Sequence, residues 1–163
     1  MISKKNIYSF FFVIVIFFID RVTKILIINS ANLNEEVNLY ITHFLSLNLI
    51  WNQGIAFGLF SFDQKIYYNL LTGIIIIISL IIAWMILKTK NLEKIGFIMV
   101  LGGSLGNVFD RIYYSRVPDF IDLHYNNFHW FIFNVADIFI TVGILCLILV
   151  ELFFNKHELN DEK

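Results

Sequence analysis

The sequence predicts an all-α integral membrane protein, a bundle of four transmembrane helices with a small extracytoplasmic β-sheet between helices 1 and 2. Three observations predict it. Of its 163 residues 58% are hydrophobic and only 15% charged, far from the balance of a soluble domain. Four apolar segments, about 7–28, 66–87, 95–113 and 131–154, are near the roughly 20 residues that cross a hydrocarbon core of about 30 Å. Between the first two, Val37, Leu39 and Ile41 alternate with Glu36, Asn38, Tyr40 and Thr42, and Leu45, Leu47, Leu49 and Trp51 with Ser46, Asn48 and Asn52. That period of two marks half-buried strands, so a β region is expected over about 31–62. The length allows a single membrane domain, 1–163.

The first segment has the look of a signal peptide, with Lys4 and Lys5 ahead of the run Ile7–Ile19. No small-x-small cleavage site follows, and the run continues past Asp20, Arg21 and Lys24 into Ile25–Ile28, so it reads as a retained span. Lys88, Lys90 and Lys94 lie between the second and third segments, and Lys156 and Lys163 follow the fourth. The positive-inside rule then places both termini and that short loop in the cytoplasm, and loops 29–65 and 114–130 outside. Within the first outer loop, Gly54–Phe62 is apolar enough to lie on the membrane surface. Pro118, the sole proline, falls in the second outer loop, where no helix bond is lost. A net charge of -1 gives no case for a nucleic-acid partner. Cys146 is a single thiol without a disulfide partner and reads as a small core residue.

With this topology the costly polar groups gather at the outer end of the bundle. Asp20 and Lys24 are four apart and can pair on one helix face. Asn107, Asp110 and Arg111 share a face at the end of the third helix, and Asn134 and Asp137 do so early in the fourth. Asp137, inside the run Phe131–Phe154, is expected about 9 Å below Phe131. A carboxylate within such a span costs on the order of 2.5–3.5 kcal/mol and marks a functional site. Gly102, Gly103 and Gly106 flank this zone and let a neighbouring helix approach closely.

Two carboxylates held near each other outside water share a proton. The ionised member can then activate water while the protonated one supports the carbonyl oxygen or the leaving amine. Asp119 and Asp137 are the candidate pair, with Asp110 the rival for the first place. Asp110 and Asp20 have neighbouring cations and read rather as structural ion pairs. Asn52, Asn134 and Arg111 supply donors that suit a peptide backbone or a lipid ester. His43, His124, His129 and His157 form no metal spacing, and no nucleophilic serine elbow or phosphate loop is present, so metal, serine-triad and nucleotide chemistry are not expected.

Five blocks of residues resemble one family. Asp20-Arg21-Val22-Thr23-Lys24 is similar to the D-x-x-[ST]-K signature of the lipoprotein signal peptidases (signal peptidase II). Asn52-Gln53-Gly54-Ile55-Ala56-Phe57 is similar to N-x-G-x-A-[FW]. Gly102 to Arg111 resembles G-G-x-x-G-N-x-x-D-R, Val117-Pro118-Asp119-Phe120-Ile121 resembles V-V-D-[FM]-I, and Phe133 to Asp137 resembles F-N-x-A-D. The blocks keep their order over about residues 15–143, and the one departure is Pro118 in place of valine. The resemblance implies a four-helix, monomeric, globomycin-sensitive aspartic endopeptidase of the bacterial inner membrane, without metal or cofactor. Its partners would be membrane lipids and diacylglyceryl-modified prolipoproteins, cut on the amino side of the lipidated cysteine. It further implies Asp119 and Asp137 as the catalytic pair, and Asn52, Arg111 and Asn134 as substrate contacts. Asp20, Lys24, Gly54, Asn107 and Asp110 would support the site.

Two other classes compete. A proton- or ion-coupled transporter would need polar groups through the inner half, and Ile74–Ile78 with Leu145–Leu149 offer none. A non-catalytic assembly factor would leave the paired acids without a role.

Overall fold

The structure, a computed structural model, describes residues 4–34, 38–54, 65–126 and 128–155. Its elements are α1 (Lys4–Asn34), β1 (Asn38–Thr42), β2 (Leu45–Asn52), α2 (Lys65–Lys88), α3 (Glu93–Tyr114), β3 (Val117–Tyr125), β4 (Phe128–Phe133) and α4 (Val135–Val150). A wider π-type turn over Glu151–Asn155 extends α4. Among the described residues, three helical stretches are long and apolar enough to cross a membrane, Tyr68–Lys88, Glu93–Tyr114 and Val135–Phe153, and the first span expected over 7–28 is not one of them.

Helix α3 is the hub, packed against α1, α2 and α4. Over half of its apolar window, 56%, is buried, against 17% in α2 and in the α4 stretch. The outer helices turn branched apolar side chains such as Ile74, Ile77, Ile81, Ile144 and Ile148 outward, as lipid-facing helices do. Close approach explains the glycines of α3. A Cβ on Gly103 would collide with the carbonyl oxygen of Ala136 on α4, and one on Gly106 with the carboxylate of Asp20 on α1. Gly73 on α2 has nothing within 4 Å of that position. Gly103→Ala is therefore expected to lower the thermal midpoint in detergent through overpacking of about 1–3 kcal/mol. Gly73→Ala should hold or raise it, since alanine favours a helix by about 1 kcal/mol over glycine. Equal midpoints for the two variants would refute this packing account.

The sheet order is β1-β2-β3-β4, every neighbour antiparallel. It therefore draws on both segments read as outer loops, and the expectation of a β region confined to about 31–62 is corrected. Residues 31–34 belong to α1, β1 and β2 fall inside the expected range, and β3 and β4 come from 114–130. The surface segment expected over Gly54–Phe62 lies, from residue 55 on, outside the described residues. Pro118 is a strand residue opposite Trp51. Pairing of β3 with β4 begins only at Ile121, so Pro118 has a strand on one side alone, where a missing N–H is tolerated.

The fourth helix also starts later than its apolar run. Phe131, Ile132 and Phe133 end strand β4, and α4 begins after Asn134. The cause is a reciprocal cap. The Asn134 side chain accepts from the Asp137 N–H at 3.2 Å, and the Asp137 carboxylate accepts from the Asn134 N–H at 3.1 Å. Asp137 thus sits in the first turn of α4, not two turns into a helix begun at Phe131.

Two apolar clusters bracket the polar zone. Val13, Ile86 and Leu101 join α1, α2 and α3, while Ile27 and Phe120 fasten the end of α1 beneath the sheet.

Candidate active site

Between those clusters lies a closed ion network. Lys24 Nζ is 2.6 Å from Asp110 Oδ2 and 2.9 Å from Asp20 Oδ2, and donates to Asn107 Oδ1 at 2.9 Å. Arg21 completes it, 2.6 Å from Asp110 Oδ1 and 3.2 Å from Asp20 Oδ2, with its guanidinium over the Phe109 ring. Asp20, Lys24 and Asp110 are each 0% exposed. Two cations and two anions cancel, which is what makes their burial tolerable. The expected Asp20–Lys24 pair is present, and Asp110 is the bridge between α3 and α1. Asp20 also uses Oδ1 to accept from the Ala136 N–H at 2.9 Å, satisfying a free donor at the start of α4.

This network hands its order on to two further carboxylates. Asn107, fixed by Lys24, donates through Nδ2 to Asp137 Oδ1 at 2.8 Å. Asn134 donates through Nδ2 to Asp119 Oδ1 at 2.6 Å, and Asn52 through Nδ2 to Asp119 Oδ2 at 2.8 Å. Asn134 therefore touches both acids, Asp119 by its side chain and Asp137 by the cap. Asn52 is held in turn at the end of β2, where its Oδ1 accepts from the Gly54 N–H at 2.8 Å. Strand β3 brings Asp119 in from the sheet side, opposite Ile50.

Both acids line one cleft of about 760 Å³. Its polar end is made by Asn52, Asn107, Arg111, Asp119, Asn134 and Asp137. The rest is an apolar trough between α2, α3 and α4, with Ile75, Ile78, Ile82, Ile138, Thr141 and Ile144 on its walls. Arg111 donates through Nη1 to the Asn107 carbonyl at 3.2 Å, and its buried Nε has no hydrogen-bond partner among the described residues. Burial, and then the neighbouring Asp137 charge, push the Asp119 carboxyl up from 3.8 to about 6, although the Asn52 and Asn134 amides pull the other way. Such a pair gives up its two protons in separate steps, which suits acid–base chemistry near neutrality.

All ten residues singled out in the sequence thus belong to one connected constellation, with Gly54 at its edge. Two contributors were missed. Arg21 is the second cation on Asp110, and its adjacency to Asp20 and Lys24 was the available signal. Tyr68 on α2 is buried within electrostatic reach of Arg111 and Asp110, and its hydroxyl has no partner among the described residues. An isolated tyrosine at the start of an apolar helix carries no such signal in the sequence.

The sequence profile of the family described as Signal peptidase (SPase) II matches residues 12–154. The chain belongs to the signal peptidase II family. A lipoprotein signal peptidase of Pelagibacter ubique (strain HTCC1062) is 52% identical over 162 residues, covering 99% of this chain and 98% of that one. The lipoprotein signal peptidase of Francisella tularensis subsp. mediasiatica (strain FSC147) is 38% identical over 151 residues, covering 90% of this chain and 92% of the relative. Among solved structures, a bacterial membrane enzyme determined by the in meso method at 1.9 Å is 27% identical with a TM-score of 0.72, covering 90% and 94% of the two chains. Membership of a signal peptidase II family makes the protein a peptidase and removes the transporter and assembly-factor alternatives. It also gives the cleft its setting, since helices able to cross a membrane form its trough.

Proposed function

We propose that the protein is a lipoprotein signal peptidase that hydrolyses the signal peptide of diacylglyceryl-modified prolipoproteins through Asp119 and Asp137, at the outer face of the bacterial inner membrane. The observation that carries this reading is the shared cleft. Two carboxylates tied to one asparagine, Asp119 buried and Asp137 half-buried, stand at the polar end of an apolar trough. A substrate whose scissile amide lies between an apolar signal helix and acyl chains has the same polarity along its length.

In this mechanism a water between the carboxylates attacks the scissile carbonyl carbon. The ionised aspartate takes the water proton, and the proton held by its partner goes to the carbonyl oxygen, giving a neutral gem-diol. Collapse returns a hydroxyl proton to one carboxylate, while the amide nitrogen takes the other proton and leaves as the amine of the lipidated cysteine. One proton remains on the pair, so the cycle closes without a metal. Asn52 and Asn134 keep Asp119 in register, Asn107 does the same for Asp137, and the free Arg111 donor meets substrate oxygens. The single domain, four crossings with α1 as the first, cytoplasmic termini and a monomeric state belong to the same reading.

The direct test is a gel-shift assay with purified protein and a diacylglyceryl precursor. Cleavage on the amino side of the lipidated cysteine, blocked by globomycin, supports the proposal, and an intact precursor at high enzyme excess overturns it. The pH profile tests the pair itself. The active form carries one proton, so activity is lost once both acids ionise. For free enzyme that step is set by the Asp119 carboxyl at about 6, so kcat/KM should decline as pH rises through that value. Substrate expels water from the cleft and further disfavours the second charge, so the limb in kcat should move to higher pH. A kcat/KM flat from about pH 5 to 8 would contradict a proton-sharing pair.

A further inference from the structure

Three to five residues along β3 from Asp119, strand register gathers residues whose sequence spacing predicts no metal site. His124 stands opposite His129 across the β3–β4 hairpin, and Asp122 lies two residues back on β3. One ring nitrogen from each histidine and one Asp122 oxygen all lie within 4.8 Å of one another. In a tetrahedral zinc site, bonds of about 2.0–2.1 Å put ligand atoms roughly 3.3 Å apart. A small inward movement closes the difference, and the His129 side chain, 54% exposed at the strand end, is free to make it.

Two further observations show coordinating capacity left unspent. Asp122 is 1% exposed, yet its partners among the described residues are the Ser46 hydroxyl at 3.3 Å and His129 Nδ1 at 2.8 and 3.0 Å, with no lysine or arginine. A buried carboxylate without a fixed cation is costly unless some cation joins it. His124 is 8% exposed, and its Nδ1 is buried without a hydrogen-bond partner among the described residues. The Tyr40 ring lies 5.9 Å from that of His124.

We propose that Asp122, His124 and His129 form a divalent transition-metal site, with Zn2+ the expected occupant, clamping β3 to β4 apart from the Asp119–Asp137 cleft. Two imidazoles and one carboxylate match zinc's preferred nitrogen and oxygen donors and leave one position to water. The metal supplies a counter-charge to Asp122 and cross-links the strand that presents Asp119. Its role is structural, and it does not enter the hydrolytic steps.

The test uses full-length protein in detergent, stripped with chelator and titrated with Zn2+ by calorimetry, with Co2+ as a visible-absorption probe. One equivalent bound, with a thermal midpoint that rises with free Zn2+, is the expected result. His129→Ala, at an exposed position, should fold normally and lose affinity by more than the roughly 100-fold cost of removing a mere supporting hydrogen bond. His43→Ala, outside the ligand set, should bind as the parent does. Zinc uptake by the parent no greater than by His129→Ala, or an unchanged midpoint at saturating Zn2+, overturns the proposal. Because these readouts need no substrate, their failure leaves the peptidase reading untouched, and failure of the cleavage assay leaves the metal site untouched.

Discussion

Asp137→Asn is expected to give a folded protein that binds lipidated precursor and does not cut it. The amide keeps one oxygen for either the Asn134 N–H or Asn107 Nδ2, which now engage separate Asp137 oxygens at 3.1 and 2.8 Å. One hydrogen bond is lost, about 1 kcal/mol, so the thermal midpoint should move by only a few degrees. Turnover has no such reserve. An amide neither takes a proton from water nor returns one, and general acid–base groups contribute about 10²–10⁴-fold each. In the proposed mechanism both roles pass through the pair, so a fall in kcat of at least about 10³-fold is expected. The measurement is precursor accumulation in cells together with kcat on purified enzyme at matched fold. Processing at more than about a tenth of the parent rate would remove Asp137 from the chemistry.

The largest loss of stability is expected for Lys24→Met. Methionine matches the stem of lysine in length and bulk, so the change is close to a pure deletion of charge. Lys24 is 0% exposed and contacts Asp20, Asp110 and Asn107 together. Its removal leaves two buried carboxylates facing one guanidinium, a fault of about 3–5 kcal/mol. For a chain of this length that lowers the thermal midpoint by roughly 10 °C or more. Activity should fall as well, because Asn107 loses the ammonium that holds it towards Asp137. Charge balance supplies the control. In Lys24→Met with Asp110→Asn, Asp20 and Arg21 remain as a neutral pair, and more than half of the lost midpoint should return. A Lys24→Met protein as stable as the parent, or a double variant worse than the single, would show that neutrality is not what holds the network.

The parts of this structure that were legible in the sequence are those where a side chain's cost announces itself. Asp20, Lys24, Asn107, Asp110, Asn134 and Asp137 stand in apolar runs where each needs a reason, and helical spacing alone sorts them onto shared faces. Strands β1 and β2 were legible because part of each alternates. β3 alternates only in its second half, where Ile121, Leu123 and Tyr125 are interleaved with Asp122 and His124; its first four residues, Val117 to Phe120, are all buried, and a strand segment covered on both faces loses the period of two. β4 was hidden for a related reason. Its last residues, Phe131 to Phe133, run unbroken into the apolar stretch of α4, and hydrophobicity does not distinguish the two. The boundary was available in another form, as Asn134 and Asp137 spaced for a reciprocal cap. The histidine cluster had no signal at all, because only the pairing of His124 with His129 brings those rings together.

The order in which the ion network is completed has a consequence for biogenesis. α1 leaves the ribosome before α3, and its Asp20, Arg21 and Lys24 together carry one surplus positive charge in an apolar helix. Asp110, which cancels that surplus, arrives only with α3, and the backbone N–H of Ala136 that Asp20 holds arrives 116 residues after it. The nascent chain therefore carries an uncompensated arginine through the making of α2, and a translation product ending before residue 110 should be handed to quality control rather than wait in the bilayer.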